Sequence, residues 1–226
     1  MKKVTLALFA LALVGTSPAF AQDAKMSFFI TSVGSGDGAN LGGLDGADEH
    51  CQQLAYAAGS GDLTWRAYLS TIARAGMAGV NARDRIGDGP WFNYGGTMIA
   101  RDVTHLHSNG ANLTKATELN EMGGVTNGRG DQPNMHDLLT GSTMEGYSPT
   151  DGTDNCNNWT SNGEGSANVG HHDRQGGGAN PVSWNSAHAS RGCSQEDLVG
   201  TGGNGYFYCF ATDGPTSQET PRPEDD

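Results

Sequence analysis

The sequence predicts an α+β fold, and three observations carry that reading. One amphipathic helical pattern lies near the start, a series of short apolar runs follows it, and long glycine-rich stretches separate those runs. Glycine fills 35 of 226 positions, about twice the usual share near 7%, and hydrophobic residues reach only 35%. A chain of this make-up has much loop and few long elements.

In chain order, Lys2 and Lys3 precede an apolar run from Val4 to Val14, and Ala19-Phe20-Ala21 closes it. Residues 1–21 therefore predict a signal peptide, and one domain of about 190 residues spans 22–211. Residues 25–34, "KMSFFITSVG", predict a first strand. In "NLGGLDGADEHCQQLAYAA", residues 40–58, Ala47, Cys51, Leu54, Ala55 and Ala58 recur at helical spacing. Asp45 is the expected N-cap, with Asp48 and Glu49 in the first turn. Residues 63–72 alternate Trp65, Ala67 and Leu69 against Arg66, Tyr68 and Ser70, which predicts a half-buried strand. Residues 73–96 read as loop with an anchor at Trp91-Phe92, and 97–106 as a short strand or turn. "DLLTGST" (137–143), "DNCNNWTS" (154–161) and "GYFYCFA" (205–211) read as strands, the last being the most apolar. The tail 212–226 is acidic and proline-rich and is expected to be disordered.

The formal net charge is −12. This balance argues against nucleic acid and anionic membranes as partners and is compatible with cations and neutral ligands. No run after residue 21 approaches the roughly 20 apolar residues of a membrane span. The expected location is secreted or periplasmic. Cys51, Cys156, Cys193 and Cys209 form an even set in an exported chain, which reads as two disulfides with three possible connectivities. No C-x2-C pair supports a structural zinc site.

Four stretches, taken in order, resemble the C-type-lectin-like fold in its bacterial secreted, endostatin-like branch. They are "NLGGLDGADEHC" at the helix start, "LLTGST", "CNNWTS" and the closing strand "GYFYCFA". The resemblance spans residues 26–211. It implies short antiparallel strands, one or two helices, and nested disulfides joining Cys51 to Cys209 and Cys156 to Cys193. It also implies a loop-borne calcium–sugar site built from a Gln-Pro-Asp-like triplet and a Trp-Asn-Asp triplet. Here Gln132-Pro133-Asn134 precedes the strand it should follow, and Ser186 replaces the aspartate after Trp184-Asn185. Calcium is therefore expected to bind weakly at best.

Asp151, Asp154 and Asn155 form an oxygen-rich cluster that could hold calcium, although Asx-turns account for such clusters more often. In "GHHDRQ", His171 and His172 are adjacent, and adjacent side chains on an extended segment point to opposite sides. His105, His107, His136 and His188 would need tertiary convergence to join a transition-metal site, so a solvated loop is the favoured reading. Arg129-Gly130-Asp131 matches an integrin-type tripeptide that arises easily by chance. No nucleophile elbow, H-E-x-x-H or phosphate loop occurs.

The sequence thus predicts a non-enzymatic exported module that needs no cofactor. Its loops 108–133 and 145–181 would recognise a glycan or a protein surface. Trp184, Asn185, Tyr147, Trp159 and Glu164 are the ligand-binding candidates, with Trp91 and Tyr94 as further stacking residues. An assembly component of an envelope or extracellular complex is the alternative, and a carboxylate-dependent hydrolase is a third reading.

Overall fold

The structure is a computed structural model and describes residues 25–150 and 152–213. The predicted signal peptide, Asp151 and residues 214–226 lie outside the described residues.

The strand β8 (Gly203–Ala211) organises the molecule. Both its faces are buried. Phe207, Cys209 and Ala211 pack into one apolar cluster, and Tyr206, Tyr208 and Phe210 into another. A strand covered on both sides needs continuous apolar sequence rather than alternation, as "GYFYCFA" has. β1 (Phe28–Ile30) and β2 (Trp65–Ala67) both run antiparallel to β8, with Phe29 and Ala67 each opposite Cys209. β5 (Asp137–Leu139) pairs with β8 in parallel. β6 (Asn168–His171) and β7 (His188–Ala189) extend the sheet antiparallel, giving the order β1-β8-β5-β6-β7. β3 (Trp91–Phe92) and β4 (Met98–Ala100) form a separate ribbon.

The first cluster is roofed by α1 (Gly43–Ala57), whose Ala47, Cys51 and Ala55 are buried as the helical spacing predicts. The N-cap is Gly42 rather than Asp45. Its φ of 76° is a left-handed conformation suited to glycine, and Asp45 falls in the first turn. Asp48 is also buried. It accepts from Ala67 N (2.9 Å), Arg66 Nη1 (2.6 Å) and Arg85 Nη2 (2.8 Å), tying helix to strand. Both disulfides form, joining Cys51 to Cys209 and Cys156 to Cys193, the nested pairing that the resemblance implied.

Several expectations are corrected. Tyr68 and Ser70 are buried, because loops cover the face that alternation assigned to solvent. Three right-handed helices and one left-handed helical turn occur among the described residues, not one or two helices, and β5–β8 is parallel. α2 (Val103–Leu106) follows β4 and is capped by Asp102, which accepts from His105 N at 2.7 Å. α4 (Gln195–Thr201) is capped by Ser194. Residues 155–159, read as strand, form α3, a left-handed turn (Asn155–Trp159) with φ from 48° to 68°. Four non-glycine companions of Cys156 hold this rare conformation because it is tied from several sides. Asp154 Oδ1 accepts from Cys156 N (3.0 Å), Asn155 Nδ2 donates to Ser70 O (3.0 Å), and Trp159 Nε1 donates to Ser70 O (2.8 Å). The start of the tail is also anchored. Thr212 N donates to Thr64 O (2.9 Å), and Thr64 N donates to Asp213 Oδ1 (2.8 Å).

Candidate functional site

Two features lie beside each other at the β6–β7 end of the sheet. The first is a cleft of about 310 Å³ whose walls include His107, Asn109, Met144, Arg174, Pro181 and Trp184. Asn109 and Met144 are exposed at its rim. Arg174, at a left-handed φ of 54°, braces the outer loop by donating from Nε to Val182 O (3.1 Å). His107 forms part of the floor. Its Nδ1 meets Val103 O and its Nε2 meets Tyr68 Oη, each at 2.8 Å. Burial holds the His107 pKa below the usual histidine value.

The second feature is a cluster of imidazoles around a carboxylate. Register builds it. Leu139 faces Val169 across β5 and β6, and two pairs further along, on the same face, Asp137 faces His171. Val169 also faces His188 on β7, so His188 and His171 are diagonal neighbours on one face. The apolar sheet face thus ends in an acid and two histidines, and His136 joins from the residue before β5. Nε2 of His136, His171 and His188 lies 3.3, 3.2 and 3.6 Å from Asp137 Oδ1, and Nε2 of His171 and His188 are 3.0 Å apart. His136, Asp137 and His171 are buried, while His188 keeps a quarter of its side chain exposed.

Both Asp137 oxygens are buried without a hydrogen bond of good geometry, despite these short approaches. Burial opposes a charge on His171, but Asp137 and Pro181 O outweigh it and hold its pKa above the usual value. Burial likewise opposes a charge on Asp173. His136 and the backbone N–H groups of Arg129 and Gln175 outweigh it and hold the carboxyl well below the usual range.

The sequence-derived candidates are placed as follows. Trp184 is almost wholly buried yet walls the cleft. Asn185 is buried with its amide committed. Nδ2 donates to Tyr68 Oη (2.9 Å), Thr143 O and Met144 O (each 3.1 Å), and Oδ1 accepts from Ser183 Oγ (3.0 Å). It acts as a structural tie and has no free oxygen for a cation. Trp159 and Trp91 are fully buried and present no face for stacking. Tyr147 is exposed beneath the Arg83 guanidinium, 4.8 Å from the ring centroid, and Tyr94 and Glu164 are exposed elsewhere. Asp154 is spent as the α3 cap, accepting from Asn157 N (3.4 Å) and Ser166 N (3.2 Å) besides Cys156 N. Asn155 is enclosed, with Oδ1 unpartnered. Asp151 lies outside the described residues. In the Arg129-Gly130-Asp131 stretch, the Asp131 carboxylate is paired with Lys115.

Of the four histidines considered for convergence, His136 and His188 both approach Asp137, while His105 and His107 do not. His171, one of the adjacent pair considered, completes the cluster with Asp137, which was missed; His171 and His172 are buried rather than part of a solvated loop. Asp137 opens a strand read only for its leucines, and the one-sided placement of His171 depends on register with β5. No family model matches this chain, and neither does any curated protein.

Proposed function

We propose that the protein is an exported, non-enzymatic binding module of C-type-lectin-like type, whose β6–β7 cleft recognises a polyhydroxylated ligand such as a glycan. The cleft carries this reading. It combines polar rim groups (Asn109, Asn180) with apolar ones (Met144, Val182) on disulfide-tied loops, a mixture that suits a sugar's hydroxyls and C–H faces. The committed amide of Asn185 and the capping role of Asp154 support recognition without a calcium bridge.

The test is a glycan array with the oxidised mature protein, run with calcium and with a calcium-selective chelator. Binding that survives chelation and falls in Asn109→Ala and Met144→Ala variants is the expected result. An empty array, or binding indifferent to both substitutions, would sink the proposal.

A further inference from the structure

The histidine–aspartate cluster has an electrostatic problem that its outer contacts make explicit. His171 Nδ1 lies 2.8 Å from Pro181 O, His188 Nδ1 3.0 Å from Ala189 O, and His136 Nδ1 3.3 Å from Asp173 Oδ1. Each partner is an oxygen that only accepts, so each Nδ1 carries hydrogen. In a neutral imidazole the other nitrogen is then a bare lone pair. In that state the Nε2 of all three imidazoles faces Asp137 Oδ1 as an acceptor, and Asp137 has no hydrogen bond of good geometry of its own. Acceptors facing acceptors in a buried place are costly unless a cation lies among them.

We propose that His136, Asp137, His171 and His188 bind one divalent transition-metal ion, zinc by the make-up of the donor set, through three Nε2 atoms and Asp137 Oδ1. Imidazole nitrogens suit zinc and its neighbours, whereas calcium and magnesium take oxygen ligands. The spacing suits the ion as well. A tetrahedron with arms of about 2.0–2.1 Å has edges of about 3.3–3.4 Å; the three Nε2–Oδ1 separations are 3.2, 3.3 and 3.6 Å, and the Nε2 atoms of His171 and His188 are 3.0 Å apart. His136, Asp137 and His171 offer donor atoms all within 4.8 Å of one another; His188 stands outside that set and approaches His171 Nε2 and Asp137 Oδ1 from the part-exposed side, which is the entry path.

Two further observations point the same way. Each imidazole is held by an oxygen on Nδ1, an arrangement that fixes the tautomer and ring orientation of metal-bound histidines. The loop across the site is glycine at the contact points. A Cβ at Gly176 would stand 2.3 Å from His171 Cε1, and one at Gly178 would stand 2.8 Å from His188 Cδ2. "RQGGGANP", which buries almost nothing, is thus shaped to lie against the imidazoles.

The test uses the mature oxidised protein, stripped with a chelator, dialysed, and titrated calorimetrically with zinc chloride and separately with calcium chloride. One zinc per chain is expected, with no calcium response at this site. Cobalt(II) should give the intense visible absorption of a four-coordinate nitrogen–oxygen site. His188→Ala should weaken zinc at least tenfold, and His171→Ala should abolish binding. Asp173→Asn, which acts through His136, should weaken it by about 10–100-fold and leave the cobalt band shape recognisable. His105→Ala, distant from the cluster, should change nothing. Near-ultraviolet circular dichroism verifies folding. If His171→Ala does not fold, His188→Ala at its part-exposed position and the cobalt spectrum decide. Absence of zinc binding by the folded wild type, or an affinity within twofold of wild type in folded His188→Ala or His171→Ala, overturns the proposal. It is independent of the glycan reading, since the metal titration contains no sugar.

Discussion

Replacing Cys51 and Cys209 together by alanine removes the bond that pins α1 to the central strand. The residues are 158 apart in sequence, against 37 for Cys156 and Cys193. On a chain-entropy reckoning the longer loop contributes about 5 kcal/mol and the shorter about 4 kcal/mol. Both cysteines of the longer pair are fully buried, between Phe29 and Ala67 on the sheet and Ala47 and Ala55 on the helix. Truncating the two sulfurs adds on the order of 1 kcal/mol of lost packing. The total rivals the whole stability of a typical domain, about 5–15 kcal/mol. Urea unfolding of the oxidised protein and of both double variants measures these losses. The variant lacking Cys51–Cys209 should be the less stable, and its unfolding slope should steepen because the freed chain exposes more surface. A loss below about 2 kcal/mol with an unchanged slope would refute the reasoning, since the cross-link would then not be limiting the unfolded chain.

Asp48→Ala should cost about 3–5 kcal/mol by urea unfolding, because it leaves the Arg85 guanidinium, with a side chain only 11% exposed, without its counter-ion; a loss under 1 kcal/mol would contradict this. At the exposed, left-handed Asn157 (φ 55°), glycine should stabilise and alanine should destabilise, each by about 1 kcal/mol, and equal melting temperatures would contradict the left-handed turn. Glu118 is fully buried beside the Tyr208 hydroxyl, neither of its oxygens has a hydrogen bond of good geometry, and burial raises its pKa well above the usual carboxylate value. Between the unfolded and folded pKa values the folded state holds the extra proton, so this contribution is complete below the unfolded value and lost as pH rises. Glu118→Gln should therefore gain stability relative to wild type between pH 5 and pH 8, read as a widening difference in melting temperature; a constant difference would show that Glu118 does not titrate in this way.

The legible parts of the fold were those written in local pattern. The helical stripe of Ala47, Cys51 and Ala55 announced its buried face, and "GYFYCFA" announced the most apolar strand of the chain. The left-handed turn at 155–159 was not legible. Asn-Cys-Asn-Asn-Trp has no local signature for five positive φ values, which are maintained by Asp154, Ser70 and the bond to Cys193 from elsewhere. Asn185 looked like a ligand because its type and neighbours fit one. Its amide is consumed by Tyr68, Thr143 and Met144, about 40 to 120 residues earlier.

Composition and short-range periodicity by themselves determined the α+β class, the apolar positions of α1 and β8, and the glycine-rich character of the loops. Those properties follow from backbone sterics and from which side chains avoid water, and a window of ten residues contains them. Tertiary structure alone decided which histidines meet. The pairing of Asp137 with His171, and of His188 with Val169, is set by strand register, and a slip of one residue would turn each of these side chains to the opposite face. That register follows from burial of Leu139 and Val169 and from the course of β8, so no segment bearing a histidine encodes the cluster on its own.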